Sequence, residues 1–210
     1  MTVSPREQLP TLRGRQTQAA IDAAARAVIA RKGILATTIS DIAAEAGRST
    51  ASFYNYYDSK EAMVREWAVR FRDEARERSR AAAEPGLTNW ERSYQAAAAH
   101  WNTYRNRLAE MISVSQLAMV SDDFAQYWSD ICSLPIGLIT QIVKHAQRQG
   151  FCAADDDPQL IAEAMVSMLN QFCYTRLAGN MAAAVDDDAC ITTLANIFYR
   201  TIYPKEAGLL

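Results

Sequence analysis

Residues 37–60, TTISDIAAEAGRSTASFYNYYDSK, hold two short helical patterns around a single glycine, and four aromatics fall within five residues of the second. Few folds accommodate such a stretch. Neither segment is long enough to be stable alone, so both must pack on something outside them. Thr38 and Asp41 stand in a Thr-x-x-Asp capping pattern that starts a helix over 39–46, with Ile39, Ile42, Ala43 and Ala46 as its apolar side. Gly47 can take the left-handed conformation that ends a helix and turns the chain sharply. Ser49 then caps a second helix over 50–57. Two such helices joined by a tight glycine turn make a helix-turn-helix, whose second helix enters the DNA major groove.

A helical wheel at about 100° per residue divides the aromatics by task. Phe53 and Tyr57 fall within about 40° of each other and form the inner face. Ala51, Ser52 and Asn55 cluster opposite, as a small polar surface suited to a groove. Tyr54 and Tyr56 lie on the flanks, where they either donate hydroxyls to phosphates or pack against neighbouring helices. Asn55 either reads a base or is a plain solvated position.

The rest of the chain also reads as helix. One helix runs from Arg15 to Lys32 and stops at Gly33, with Ile21, Ala25, Val28 and Ile29 as its buried stripe. A long helix begins near Asp58 or Ser59, with Asp58 and Glu61 in capping-box spacing. It buries Met63, Trp67, Phe71 and Ala75 and ends before Pro85-Gly86. Further helices are predicted from Trp90 to Leu108, from Leu108 to Met119 and from Asp122 to Gln149, the last kinked or split by Pro135 and Gly137. Asp155-Asp156-Asp157-Pro158 and Asp186-Asp187-Asp188 open the final two. The expectation is an all-α fold of nine or ten helices.

Much chemistry is missing. The only histidines are His100 and His145, on different helices, and no two glycines stand closer than thirteen residues, so no phosphate-cradling loop is built. Cys132, Cys152, Cys173 and Cys190 match no zinc spacing. No nucleophile–base pair supports an enzyme, so no catalytic residue, metal or cofactor is expected. Charge is unevenly shared: residues 1–80 carry 14 Lys+Arg against 10 Asp+Glu, and residues 81–210 carry 8 against 14. A basic module followed by an acidic one fits a phosphate-binding front end. No apolar run approaches the ~18 residues of a membrane span, and the location expected is cytoplasmic.

Thr38, Ile42-Ala43, Ala46-Gly47, Ser49, Phe53-Tyr54, Tyr56-Tyr57 and Lys60-Glu61 together resemble the signature of TetR/AcrR-family transcriptional regulators. The resemblance covers residues 15–65 closely and the remainder only in helical character and length. It implies an N-terminal three-helix DNA-binding domain, a connecting helix, and a ligand-sensing domain that dimerises through its last two long helices. The divisions expected are an arm at 1–14, the helix-turn-helix domain at 15–60 and the sensing domain at 61–210, with its connecting helix at 61–84. By that resemblance Thr50, Ala51, Ser52 and Asn55, with Ser49 beside them, fall where bases are touched. Thr38, Tyr54, Tyr56 and Lys60 fall where phosphates are held. Arg48 departs from the small apolar residue usual in the turn, and either adds a phosphate contact or lies across the surface.

In the second half, wide aromatics and methionines gather on helical stripes: Trp101, Tyr104, Met111, Met119, Phe124, Trp128, Met165, Met168 and Phe172. Asn102, Gln116, Asn170, Gln171 and Arg176 interrupt them. Such stripes are either plain core or the lining of a pocket for a mostly apolar molecule, oriented by groups such as Asn170. The helix over 158–178 is apolar on two sides, with Val166, Leu169 and Cys173 on the second; Leu194, Phe198 and Ile202 of the last helix offer a matching surface. Both sides are buried within one subunit, or the second pairs with a copy. The reading expected is a dimeric repressor of a palindromic operator, released by an apolar effector. An activator, an effector-independent regulator, and a helical scaffold or enzyme without DNA binding are the alternatives.

Overall fold

The computed structural model describes residues 12–79, 86–178 and 186–208, with the side chains of 72–79 left aside. Among these residues every regular element is a helix: α1 (Leu12–Lys32), α2 (Ile39–Glu45), α3 (Thr50–Tyr54), α4 (Lys60–Ser79), α5 (Asn89–Asn106), α6 (Leu108–Ala118), α7 (Asp122–Arg148), α8 (Pro158–Leu177) and α9 (Asp187–Ile202). Most of the expected arm and the border at Pro85 lie outside the described residues.

Caps set most boundaries. Thr38 accepts from the Asp41 N–H while Asp41 reaches back to the Thr38 N–H, and Thr88 and Glu91 repeat this box at α5. At α4 the Ser59 hydroxyl accepts from the Ala62 N–H at 3.0 Å, which makes Ser59, of the two expected starts, the cap of this helix. Asp157 and Asp186 cap α8 and α9. Pro135 lies inside α7, which continues as one helix to Arg148 and does not split.

Two cores form. In the upper one, α9 runs back along α5, with Trp90 meeting Asn196 near one end and Trp101 meeting Asp187 near the other. The α7–α8 pair completes this layer. The lower core joins Ile21 and Ile29 of α1, Ile42 of α2 and Phe53 of α3 to Met63 and Trp67 of α4, and to Ile112, Leu117 and Phe124 from α6 and α7. Packing is therefore continuous across residue 60, where the sequence suggested a border. Phe124, expected at a pocket, belongs to this lower core.

The second apolar side of α8 is resolved in favour of internal burial. Val166, Leu169 and Cys173 are 2%, 1% and 0% exposed within the single subunit, and Leu194, Phe198 and Ile202 are equally enclosed. All six had been assigned to a dimer contact. That assignment is corrected: α8 packs against α5, α6 and α7 of its own subunit, and different residues face outward.

Two glycines test how the lower core is tied. Gly47 has φ +61°, and a Cβ there meets nothing within 4 Å. Gly33 has φ +76°, and a Cβ would lie 2.6 Å from Gln116 Oε1, which accepts from the Ile34 N–H at 3.0 Å. Gly47→Ala should cost about 1–2 kcal/mol, the left-handed backbone penalty alone. Gly33→Ala should cost about 1 kcal/mol more, since Gln116 must leave its hydrogen bond. Urea denaturation measures both, and equal losses would mean that Gln116 contributes nothing at this junction.

Candidate nucleic-acid interface

The turn between α2 and α3 is a Schellman motif. Gly47 N–H donates to Ala44 O at 3.1 Å and Arg48 N–H to Ala43 O at 2.9 Å, which closes the carbonyl end of α2. The Ser49 hydroxyl then accepts from the Ser52 N–H. α3 is shorter than expected and ends with Asn55 as its C-cap, so Tyr56 and Tyr57 lie in the turn that follows.

Phe53 and Tyr57 are the inward anchors. Their rings are 5.6 Å apart, and the Tyr57 hydroxyl donates to Asp22 Oδ1 at 2.7 Å while accepting from Gln18 Nε2. Burial first, then the Asp22 bond, raises the Tyr57 phenol above its ordinary range and keeps it neutral. Facing out are Ser49, Thr50, Ala51 and Asn55, with Ser52 half-buried. Tyr54 is 53% exposed, whereas Tyr56 is half-buried against the lower core. Arg48 is exposed, and its guanidinium donates to the Gly47 carbonyl at 3.2 Å.

Two residues expected at phosphates have internal employment. The Thr38 hydroxyl proton goes to Asp41 Oδ2 at 2.6 Å. Lys32, then Thr38, holds that carboxyl well below the usual range. Lys60 Nζ donates to the carbonyls of Ile34 and Thr37, each at 2.8 Å. The first is correctly a helix cap and the second a clamp on the α1–α2 loop. An ammonium has three donors, so one remains for a phosphate. Thr38, Thr50, Tyr54 and Lys60 border an open depression of about 530 Å³ between α2, α3 and the start of α4.

The pocket candidates do not converge. Trp101, Tyr104, Met111 and Met165 are buried in the upper core, with Trp128, Met168, Asn170 and Phe172 half-buried beside it. Met119 is 81% exposed at the end of α6 and leaves the set. Gln116 holds the α1–α2 loop rather than facing a ligand, and Asn102 and Gln171 are exposed. Sequence periodicity gave no sign of the contacts joining α6 to α1 and α4. Arg26 Nε meets Glu110 Oε1 at 2.9 Å, Glu110 is 3% exposed, and the Arg26 guanidinium lies 4.6 Å over the Trp67 ring.

Removing the clamp should reveal its role without any DNA. Lys60→Ala should lower stability by about 1–3 kcal/mol, because two carbonyls lose a charged donor. Arg48→Ala should stay within about 0.5 kcal/mol as a surface change. Denaturant titration of the DNA-free protein checks both, and an unperturbed Lys60→Ala would return that side chain to a purely external role.

Residues 21–67 match the family model described as bacterial regulatory proteins, tetR family. The chain is 22% identical over 195 residues to the HTH-type transcriptional regulator EthR of Mycolicibacterium smegmatis, covering 90% of this chain and 88% of the relative. It is 40% identical over 74 residues to the HTH-type transcriptional repressor KstR2 of Rhodococcus jostii, covering 35% of each. The fold is similar to that of FadR from Bacillus subtilis, solved in complex with stearoyl-CoA, with a TM-score of 0.58 at 19% identity over 86% of this chain and 97% of that one. Among the described residues no helix is long and apolar enough to cross a membrane. The glycine-turned helix pair built as above lies within the residues that match this family model, and over its length the chain is similar to an HTH-type transcriptional regulator.

Proposed function

We propose that the chain represses transcription in the cytoplasm as a homodimer that grips a palindromic operator and lets go when a mostly apolar effector binds. The observation that carries this reading is the outer face of α3: Ser49, Thr50, Ala51 and Asn55 are exposed on a helix whose other face is fixed by Phe53 and Tyr57. Small polar side chains permit close approach to base edges, and an asparagine amide pairs with adenine through two hydrogen bonds. Tyr54, Arg48 and the third donor of Lys60 supply phosphate contacts around it. Thr38 supplies none, since both its hydroxyl and its N–H are committed to the cap. Ligand response is supported by methionines and aromatics in the upper core and by the stearoyl-CoA complex of FadR.

Asn55→Ala should relax preference at one symmetric pair of operator positions, with a loss of about 1–3 kcal/mol of discrimination there. Selection from a randomised palindrome, followed by gel shifts against salt, measures it. Uniform weakening across all sequences would remove the base-reading role. A salt-independent shift would remove the DNA-binding reading itself.

For pairing, the surface supported is the outward stripe of α8 and α9. Leu160, Ala164, Ser167, Gln171 and Tyr174 recur at four-and-three spacing on α8, and they are exposed, as are Thr193 and Ile197 on α9. None is charged, and Leu160, Tyr174 and Ile197 are 63%, 36% and 38% exposed. Two such helix pairs make a four-helix bundle. Ser167→Glu or Ile197→Glu should give a folded monomer that no longer shifts the palindrome, because a carboxylate would be left unpaired at the contact. Val166→Glu should instead unfold the subunit. Sedimentation with circular dichroism separates the outcomes, and a Ile197→Glu dimer with normal operator binding would rule this face out.

A further inference from the structure

Gln116 belongs to α6, yet its amide lies against the loop that leads into α2 and α3. Its Oε1 accepts from the Ile34 N–H at 3.0 Å. A Cβ on Gly33 would stand 2.6 Å from Oε1, 2.8 Å from Nε2 and 3.1 Å from Cδ. The whole amide therefore occupies space that only a glycine leaves open.

The loop is tied along its length. Thr37 is buried, and its hydroxyl donates to the Gly33 carbonyl at 2.6 Å. Lys60 Nζ holds the Ile34 and Thr37 carbonyls from the side of α4. Thr38, the next residue, is the N-cap of α2. With seven and five residues, α2 and α3 are too short to keep a direction by themselves. Phe53 seats α3 on the lower core, but apolar burial is non-directional, whereas a hydrogen bond fixes a distance and an angle. The direction of α2, and of α3 beyond the Gly47 turn, follows the loop.

Gln116 also sits at a set height on α1. α1 and α6 pack together, and Arg26 Nε meets Glu110 Oε1 at 2.9 Å. Arg26 to Gly33 is seven residues and Glu110 to Gln116 is six, so the two polar contacts are about 10 Å apart along each helix. Sliding α6 along α1 would break both. The Arg26 contact grips the body of α1, whereas the Gln116 contact grips its end and the start of the loop. Gln116 thus carries the register of α6 to the residues that aim α3.

We propose that Gln116 is a positioning residue that sets which spacing of operator half-sites the protein accepts, without itself touching DNA. This rests on the reading of the chain as a dimer on a palindrome. Each copy then presents α3 at a place fixed relative to its own α6, and the separation of the two recognition helices is fixed in turn. Moving one half-site by a base pair shifts it by about 3.4 Å and turns it by about a tenth of a turn. A recognition helix held through Gln116 does not follow that shift, and one released at the loop follows part of it. Loss of the contact lowers discrimination between spacings more than affinity for one half-site.

The test uses the full chain and the palindrome it selects from a randomised pool, beside the same half-sites one base pair closer and one base pair further apart. In gel shifts the wild type should bind its selected spacing about tenfold more tightly than either neighbour, and Gln116→Leu should reduce that ratio to about threefold or less. A single half-site should be bound by Gln116→Leu within about twofold of the wild type. Gln116→Glu keeps an oxygen for the Ile34 N–H and should restore the wild-type ratio. Gly33→Ala displaces the amide from the other side and should flatten the ratio as Gln116→Leu does, so either variant serves if the other folds poorly. Gly150→Ala is the control for lost stability. Gly150 also has a positive φ, +74°, but a Cβ there meets nothing within 4 Å, and it lies just beyond α7. It should lower the denaturation midpoint and keep the ratio. A wild-type ratio in Gln116→Leu or Gly33→Ala, each folded by circular dichroism, would overturn the proposal. So would a flat ratio in Gly150→Ala or in Gln116→Glu. A wild type that selects a palindrome and keeps its ratio in every variant removes only the role of Gln116, and one that selects no palindrome removes the dimeric reading and this proposal with it.

Discussion

Ile34 is the residue on which the two halves of the molecule meet. Its N–H is taken by Gln116 of α6 and its carbonyl by Lys60 of α4, so both backbone groups of one loop residue are held by side chains from elsewhere. Lys60 also holds the Thr37 carbonyl, directly before the residue that caps α2. Gly33 is what permits this, since any Cβ would occupy the place of the Gln116 amide. The position of α2, and through the Gly47 turn that of α3, is thus set by two helices outside the helix-turn-helix.

The second tie has a different character. Glu110 is a carboxylate almost without solvent, and Arg26 meets it while resting on Trp67. Such a pair adds little net stability, yet loss of Arg26 would leave the buried carboxylate with only the Arg107 guanidinium, 3.6 Å away. It therefore resists half-way arrangements more than it strengthens the fold. With the Gln116 contact, it makes α6 a rigid lever on α1: a shift of α6 within the upper layer either carries α1 along or breaks charged and polar contacts. This is the physical form that communication between an effector and α3 takes in the proposed function.

The lower half was legible because its signals are local. Thr38, Asp41, Gly47 and Ser49 act within four residues of themselves, and Phe53 differs from Ala51 by the turn of one helix. The helical character of the second half was legible for the same reason. What failed was everything that depends on which helix lies beside which. The double apolar side of α8 says that two neighbours exist, and nothing in periodicity says whether the second is α5 of the same chain or a copy. Lys60 looks like any exposed cation from its spacing, since the carbonyls it reaches lie 23 and 26 residues earlier. Met119 joined an apolar stripe by spacing although α6 had already ended at Ala118.

The continuity of the lower core bears on how this protein is cut and recombined. A chimaera that moves residues 1–60 onto another sensing domain would carry Ile34 without Gln116, Arg26 without Glu110 and Phe53 without Ile112. The transplanted segment would have a recognition helix with nothing beneath it to hold its angle. A working exchange would have to take α6 and the first half of α4 along, which makes the portable piece discontinuous in the gene though contiguous in space.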